Sequence, residues 1–256
     1  VWNHPHGRGA SAARGGERGG GGDRRGGGGF NPTLRHRPAP NGVSIGHYAI
    51  TAGTLGCLVT NGSTTFILSN NHVLADENQA SIGDNILQPG TFDAGQDPAD
   101  RIADLSDFEP IVFSTSADNV IDAAIADVVN DAEVTGATHP NAGSYGRPRS
   151  TTVSPAVGMR VQKYGRTTRH TRGKIQAINA TVNVGYSAGT ARFVGQIIIG
   201  PSGFSAAGDS GSLIVVSNGT HDRKPVGLLF AGNITITIAN PINSVLNNFG
   251  VSLVGG

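Results

Sequence analysis

The sequence predicts an all-β protein, and three observations carry that prediction. From residue 41 onward, short runs rich in Val and Ile recur ("GMRVQKYG", "GKIQAINATVNVG", "ARFVGQIIIG", "GSLIVVS", "PVGLLFAG"), each bounded by Gly, Ser or Asn. Such punctuation indicates a sandwich or a barrel rather than alternating βαβ units. The runs "TLGCLVT" and "TTFILSN" flank Asn61-Gly62, a dipeptide suited to the positive φ angles of a tight hairpin. A helical pattern closes the chain. Ile242, Val245, Leu246 and Phe249 lie at helical spacing behind Asn240 and Pro241, which predict a cap and a first turn, so a C-terminal helix packs on the β-structure.

Residues 1–40 have a different texture. They carry seven Arg against Glu17 and Asp23, and residues 1–30 hold 12 of the 39 glycines. So few apolar side chains cannot offset the entropy of ordering, and a disordered Gly/Arg-rich tail is expected over 1–40, with the folded domain over 41–256. The net charge of +1 therefore conceals a basic tail on a mildly acidic body. The "RGG" repeats are similar to segments that contact RNA through phosphate charge and stacking. Interspersed aromatics are missing, so a nucleic-acid contact by the tail is not expected.

Cys57 is the single cysteine, which excludes an intrachain disulfide. Within "TLGCLVT" it reads as a buried, inert thiol. No 18-residue apolar run is present to span a membrane. With no recognisable signal peptide, the lone cysteine favours a cytoplasmic over a secreted protein. Residues 76–110 hold nine acidic side chains and one Arg, Arg101. The EF-hand alternation is absent, so a solvated acidic loop is expected there, with no metal and no cofactor. Residues 165–175 read as a basic hairpin with Arg166, Arg169, Arg172 and Lys174.

The stretch "PSGFSAAGDSGSLIVV" sets Ser210 among small residues and Asp209, at the mouth of an apolar strand. Gly, Asp and Ser make ordinary turns. They also make a nucleophile loop whose N–H groups, on Gly208 and Ser210, receive an oxyanion. The second reading needs a base and an orienting carboxylate. Of eight histidines, His4, His6 and His36 fall in the tail, His139 and His221 in turn-rich stretches, His170 in the basic hairpin and His47 at a strand entry. His72, in "SNNHVLAD", leaves a buried strand onto a short turn, where a side chain is held rigidly. Among Asp118, Asp122 and Asp127, Asp122 is flanked by Val120, Ile121, Ala123, Ala124 and Ile125 and is the acid placed for burial. A carboxylate there costs several kcal/mol (roughly) unless a donor or a cation meets it, and an imidazolium is such a partner. Asp127 is the runner-up.

The order His72, Asp122, Ser210 is that of chymotrypsin-type enzymes. The α/β-hydrolase elbow would need Gly at 212, where Ser stands, and subtilisin order needs the acid first. "TTFILSNNHVLA", "VIDAAIADV" and "GDSGSLIVV" resemble the histidine, aspartate and serine motifs of chymotrypsin-fold serine peptidases. "GTLGCLV", "VQKYGRTTRHTRGKI" and "GDSGSLIVVSNGTHDRKPVGLLFAG" are similar to the disulfide-free, trypsin-like subgroup related to the plant narrow-leaf protein. The resemblance implies two antiparallel six-stranded β-barrels, over about 41–140 and about 145–250, with the site between them. It implies a serine endopeptidase acting on a protein or peptide substrate: His72 as general base, Asp122 orienting it, Ser210 as nucleophile, Gly208 and Ser210 as oxyanion hole. Phe204, Phe230, Ala231 and Gly232 would form the substrate pocket, with Phe204 either at its base or in the core. Digestive relatives pair the Asp before the serine with a cleaved N-terminus; no such N-terminal sequence is present near 41–56, so Asp209 needs another partner. The competing reading is a catalytically silent fold that serves as a protein or RNA interaction module.

Overall fold

The computed structural model describes residues 30–256. Residues 1–29, with His4, His6 and the Arg-Gly repeats, lie outside the described residues.

The first barrel is built from β1 (Ser44–His47), β2 (Gly53–Thr54, continuing past a bend as Cys57–Thr60), β3 (Thr65–Ser69), β4 (Asn85–Leu87), β5 (Arg101–Phe108) and β6 (Ala124–Val128). Antiparallel pairing runs β2–β3–β6–β5–β4–β1. The ring closes where Ser44 of β1 pairs with Thr54 of β2. Asn61 and Gly62 sit in the β2–β3 hairpin, in a loop between Thr60 and Thr65 where Gly62 takes φ +99° and Asn61 Oδ1 accepts the N–H groups of Ser63 and Thr64. Ile45, Leu55, Leu58, Ile67, Leu68, Ile102, Leu105 and Ile125 belong to the buried apolar core around it.

The second barrel comprises β7 (Arg160–Gly165), β8 (Arg169–Gly185), β9 (Thr190–Gly200), β10 (Leu213–Val216), β11 (Pro225–Gly232) and β12 (Thr237–Pro241). Its ring is β8–β7–β10–β11–β12–β9, closed by β9 on β8. Val161, Ile175, Ile197, Ile199, Ile214, Val226 and Leu229 form its core. Two helices matter to the site. The short α1 (Asn71–Leu74) continues β3, and α2 (Ile242–Phe249) follows β12 and buries Ile242, Val245 and Leu246. Among the described residues no helix is long and apolar enough to cross a membrane.

Three expectations change. Residues 30–40, assigned to the tail, are packed against the first barrel. Phe30 is buried and stacks on His139 at 4.2 Å, Arg37 pairs with Glu133 at 2.7 Å, and Ala39–Asn41 runs parallel to Val134–Thr138. The acidic stretch 76–110 is no loop throughout, because it contains β4 and β5. Along β5, Ile102, Ala103 and Leu105 are buried, Asp104 is half-buried and Asp107 exposed, so the carboxylates masked a half-buried strand. Pro241, not Asn240, caps α2, and the Asn240 side chain turns into the interior instead.

Candidate active site

β3 runs out of the first core and hands the chain directly to α1, so His72 emerges from a rigid strand end. Its Nδ1 lies 2.6 Å from Asp122 Oδ2, and its backbone N–H donates to Asp122 Oδ1 at 3.3 Å. Asp122 is fully buried, at 0 % exposure. The segment that carries it is fastened from both barrels. Asn70 donates to the Asp122 carbonyl at 2.7 Å, and the Asp122 N–H donates to Asn240 Oδ1 at 3.1 Å. Asn240 donates in turn to Gln196 at 2.8 Å, and Gln196 donates to the Val120 carbonyl at 2.8 Å. A third donor reaches the carboxylate: Tyr186 O–H, 2.8 Å from Oδ2. Burial first, and the Asp122 charge second, push the Tyr186 pKa well up, so the phenol stays a neutral donor.

Ser210 stands on the loop before β10, pressed against the first barrel. Thr54 N–H donates to the Ser210 carbonyl at 2.8 Å, and Thr54 O–H donates to the Gly208 carbonyl at 2.9 Å. Space for a side chain at Gly53 is taken on one side by Val73, the residue after His72, and on the other by the Ser210 carbonyl. The serine loop therefore meets the chain that carries the histidine. The Ser210 O–H donates to the Phe230 carbonyl at 3.5 Å. Gly208 has φ +92° and Gly211 φ +91°, conformations that other residues rarely hold, and a Cβ at Gly211 would overlap Ser69 and Thr54.

Asp209 answers the question of its partner. Its Oδ1 accepts the N–H groups of Thr167 and Thr168 at 2.9 and 3.1 Å. Its Oδ2 accepts Thr168 O–H at 2.6 Å, Ala206 N–H at 2.9 Å and Lys163 Nζ at 3.2 Å. Lys163 and Asp209 are both fully buried. Lys163 also donates to Thr168 Oγ1 and, at 3.1 Å, to the Arg169 carbonyl. Burial lowers the lysine pKa and the Asp209 carboxylate pulls it back up, which is the balance of a charged pair held in a dry site. On the outer side of this loop, Arg166 pairs with Asp93 and lies 5.0 Å over the Phe92 ring.

Of the two placements expected for Phe204, its ring takes the one in the core of the second barrel, beside Val161, Ile175 and Ile214. Phe230 packs on Phe193 at 4.8 Å and faces Ser210 with its carbonyl. Ala231 is buried in the same apolar cluster, and Gly232 ends β11 opposite Thr237. Cys57 is buried in the first barrel, and burial pushes its thiol up to about 12. His47, by contrast, is turned to Asp84 at 3.1 Å. Among the described residues no group of three or more His, Cys, Asp or Glu is arranged to hold a metal ion.

Two closed six-stranded barrels, with a His–Asp pair and a Gly-Asp-Ser-Gly loop meeting at their junction, define a chymotrypsin-like fold. Residues 148–239 match the family described as the Nal1 C-terminal domain, and the fold is related to Nal1. Among solved structures, Thermobifida fusca protease A is 21 % identical with a TM-score of 0.60, covering 85 % of this chain and 98 % of its own. A glutamic-acid-specific serine protease that uses a histidine triad in substrate binding is 21 % identical, with a TM-score of 0.59 over 82 % of this chain and 97 % of its own. A Nocardiopsis protease is 20 % identical, with a TM-score of 0.58 over 84 % and 97 %. No curated protein matches the chain in sequence. At these identities the likeness to the solved structures is one of fold.

Sequence reasoning missed Lys163, Thr168, Tyr186, Glu77 and Asn240. One signal pointed to Lys163, a cation set inside the strand pattern "VQKYG". Nothing local marks the others, whose roles arise from contacts distant in sequence.

Proposed function

We propose that the protein is a serine endopeptidase in which Ser210 is the nucleophile, His72 the base and Asp122 the orienting acid. The observation that carries this reading is the 2.6 Å His72–Asp122 hydrogen bond at the point where the Ser210 loop meets the first barrel. With Nδ1–H committed to the carboxylate, the imidazole presents Nε2 as the acceptor, the tautomer that a base requires. Ser210 Oγ attacks the substrate carbonyl and His72 takes its proton. The imidazolium is stabilised by Asp122, and the oxyanion is received by the N–H groups of Gly208 and Ser210, each worth roughly 3–4 kcal/mol in comparable sites. His72 then protonates the leaving amine, and water resolves the acyl-enzyme by the same steps in reverse.

Lys163 takes over, from within the chain, the pairing with Asp209, so the loop needs no cleaved N-terminus to be organised. The test is fluorophosphonate labelling with mass spectrometry of the modified peptide. Label on Ser210 in the wild type, lost in Ser210→Ala and His72→Ala, is the expected result. A well-folded wild type with no label sinks the enzymatic reading and favours the interaction module.

A further inference from the structure

We propose that Tyr186 and Glu77 form a clamp across the two barrels that positions Asp122 against His72; the proposal rests on the peptidase reading. Tyr186 lies at the start of the β8–β9 hairpin tip of the second barrel. Its hydroxyl donates to the same Asp122 oxygen that His72 Nδ1 engages, at 2.8 and 2.6 Å. Its ring meets the His72 ring edge-on at 5.9 Å and packs against Phe113 and Phe193 at 5.7 and 6.2 Å, so its direction is fixed.

The tip that carries Tyr186 is itself held from the first barrel. Glu77, buried at 4 % exposure, accepts Ser187 N–H at 3.2 Å, Ser187 O–H at 2.6 Å and Ala188 N–H at 2.8 Å. Glu77 is aimed there by an unusual turn. Directly after α1, Asp76, Glu77 and Asn78 stand at φ +46°, +53° and +75°, three consecutive non-glycine residues in the left-handed region. Side chains avoid that region, and such conformations persist only where the surroundings impose them. Here Asn78 imposes it by donating to the Ile111 carbonyl at 2.8 Å and accepting Ile111 N–H at 2.8 Å and Asn71 Nδ2 at 2.8 Å. The contacts close a circuit: His72 on α1, the left-handed turn, Glu77, the hairpin tip, Tyr186, Asp122, and back to His72.

The chemical logic lies in the choice of a phenol. A buried carboxylate needs more donors than one imidazole provides. A fixed cation would satisfy Asp122 but would also cancel the charge that stabilises the imidazolium. A neutral O–H steadies the carboxylate and leaves its charge available. Tyr186 touches no reacting atom; it is a positioning residue.

The experiment measures kcat, KM and the fluorophosphonate reaction rate of the full chain for wild type, Tyr186→Phe, Glu77→Gln and the double variant, with thermal unfolding alongside. The expected result for Tyr186→Phe is a kcat and a labelling rate lower by about tenfold, with KM within about twofold. Glu77→Gln gives a smaller loss, and the double variant loses no more than Tyr186→Phe alone, because Glu77 acts through the tyrosine. Unchanged kcat in Tyr186→Phe overturns the proposal, as does a Glu77→Gln loss that is equal in both backgrounds. If Tyr186→Phe does not fold, Glu77→Gln decides by itself: a fall in kcat at constant KM supports the clamp, and unchanged kcat overturns it. A wild type that does not label overturns the peptidase reading and the clamp together; normal wild-type labelling with unaltered variants overturns the clamp alone.

Discussion

Asp122 and Asp209 confront the same physical problem with different partners. Both are fully buried, and each carries a charge that the interior alone would reject. Asp209 is met by the Lys163 ammonium and by four further donors from Thr167, Thr168 and Ala206. Asp122 is met by two neutral groups, Tyr186 O–H and His72 backbone N–H, and by an imidazole. The first arrangement is complete at rest and holds a loop in place. In the proposed mechanism the second gains a cation only when the imidazole takes the Ser210 proton. On that reading, the acid with a lysine partner serves as scaffold and the acid with an imidazole partner as machinery.

Replacing each acid's partner, or the acid itself, puts that distinction at risk. Asp122→Asn removes the charge but keeps the shape and most donors. It should lower kcat by roughly 10⁴-fold while stability changes by about 1 kcal/mol or less, because no permanent charge is left unpaired. Turnover and urea unfolding measured on the same preparation check both halves. A large stability loss with modest kinetic loss would make Asp122 scaffold too, and erase the contrast.

Lys163→Met should show the reverse ordering. It leaves Asp209 charged, buried and without its cation, a change that costs about 3–5 kcal/mol in comparable pairs. Urea unfolding reads the loss directly, and fluorophosphonate labelling of the folded fraction should slow as the loop carrying Gly208 and Ser210 loosens. Unaltered stability would mean that the hydroxyl and backbone donors hold the loop without the lysine.

That asymmetry also explains what could be read in advance. His72, Ser210 and Asp122 were legible because each is marked by its immediate neighbours: a strand exit, a Gly-Asp-Ser-Gly loop, an apolar run. The barrels were legible from β-rich runs and turn residues, except where acidic side chains along β5 hid a half-buried strand. Residues 30–40 were misread because a scarcity of apolar side chains there concealed how they are bound, through Arg37 to Glu133 and Phe30 to His139. The partners of the two acids were not legible. Tyr186 lies 64 residues from Asp122, and Lys163 lies 46 from Asp209, so only the closed barrels bring them together.

Thr168→Val probes the scaffold site more gently. The hydroxyl sits between Lys163 and Asp209, and its loss removes two charge-assisted hydrogen bonds, one with each, together worth about 3 kcal/mol. Denaturant unfolding should register that loss with kcat falling less than in Asp122→Asn. A kinetic effect as large as that of Asp122→Asn would mean that the Asp209 cluster takes part in the chemistry rather than holding its frame.

The smallest expected effect lies at the edge of the same cluster. His170 Nε2–H donates to Gln162 Oε1 at 2.9 Å, and its pKa is lowered from 6.5, first by burial and then by the charges of Arg172 and Lys163, against a raising contact with the Gly143 backbone. A histidine with a lowered pKa binds fewer protons folded than unfolded in the window below 6.5. Stability therefore rises with pH across that window and is lost as pH falls through it toward the folded-state value. His170→Gln removes the titrating group, so the difference in unfolding free energy between wild type and variant should tilt in that window and be level above it. A difference that stays level throughout would show that burial and the charges of Arg172 and Lys163 together do not lower the His170 pKa in the folded protein.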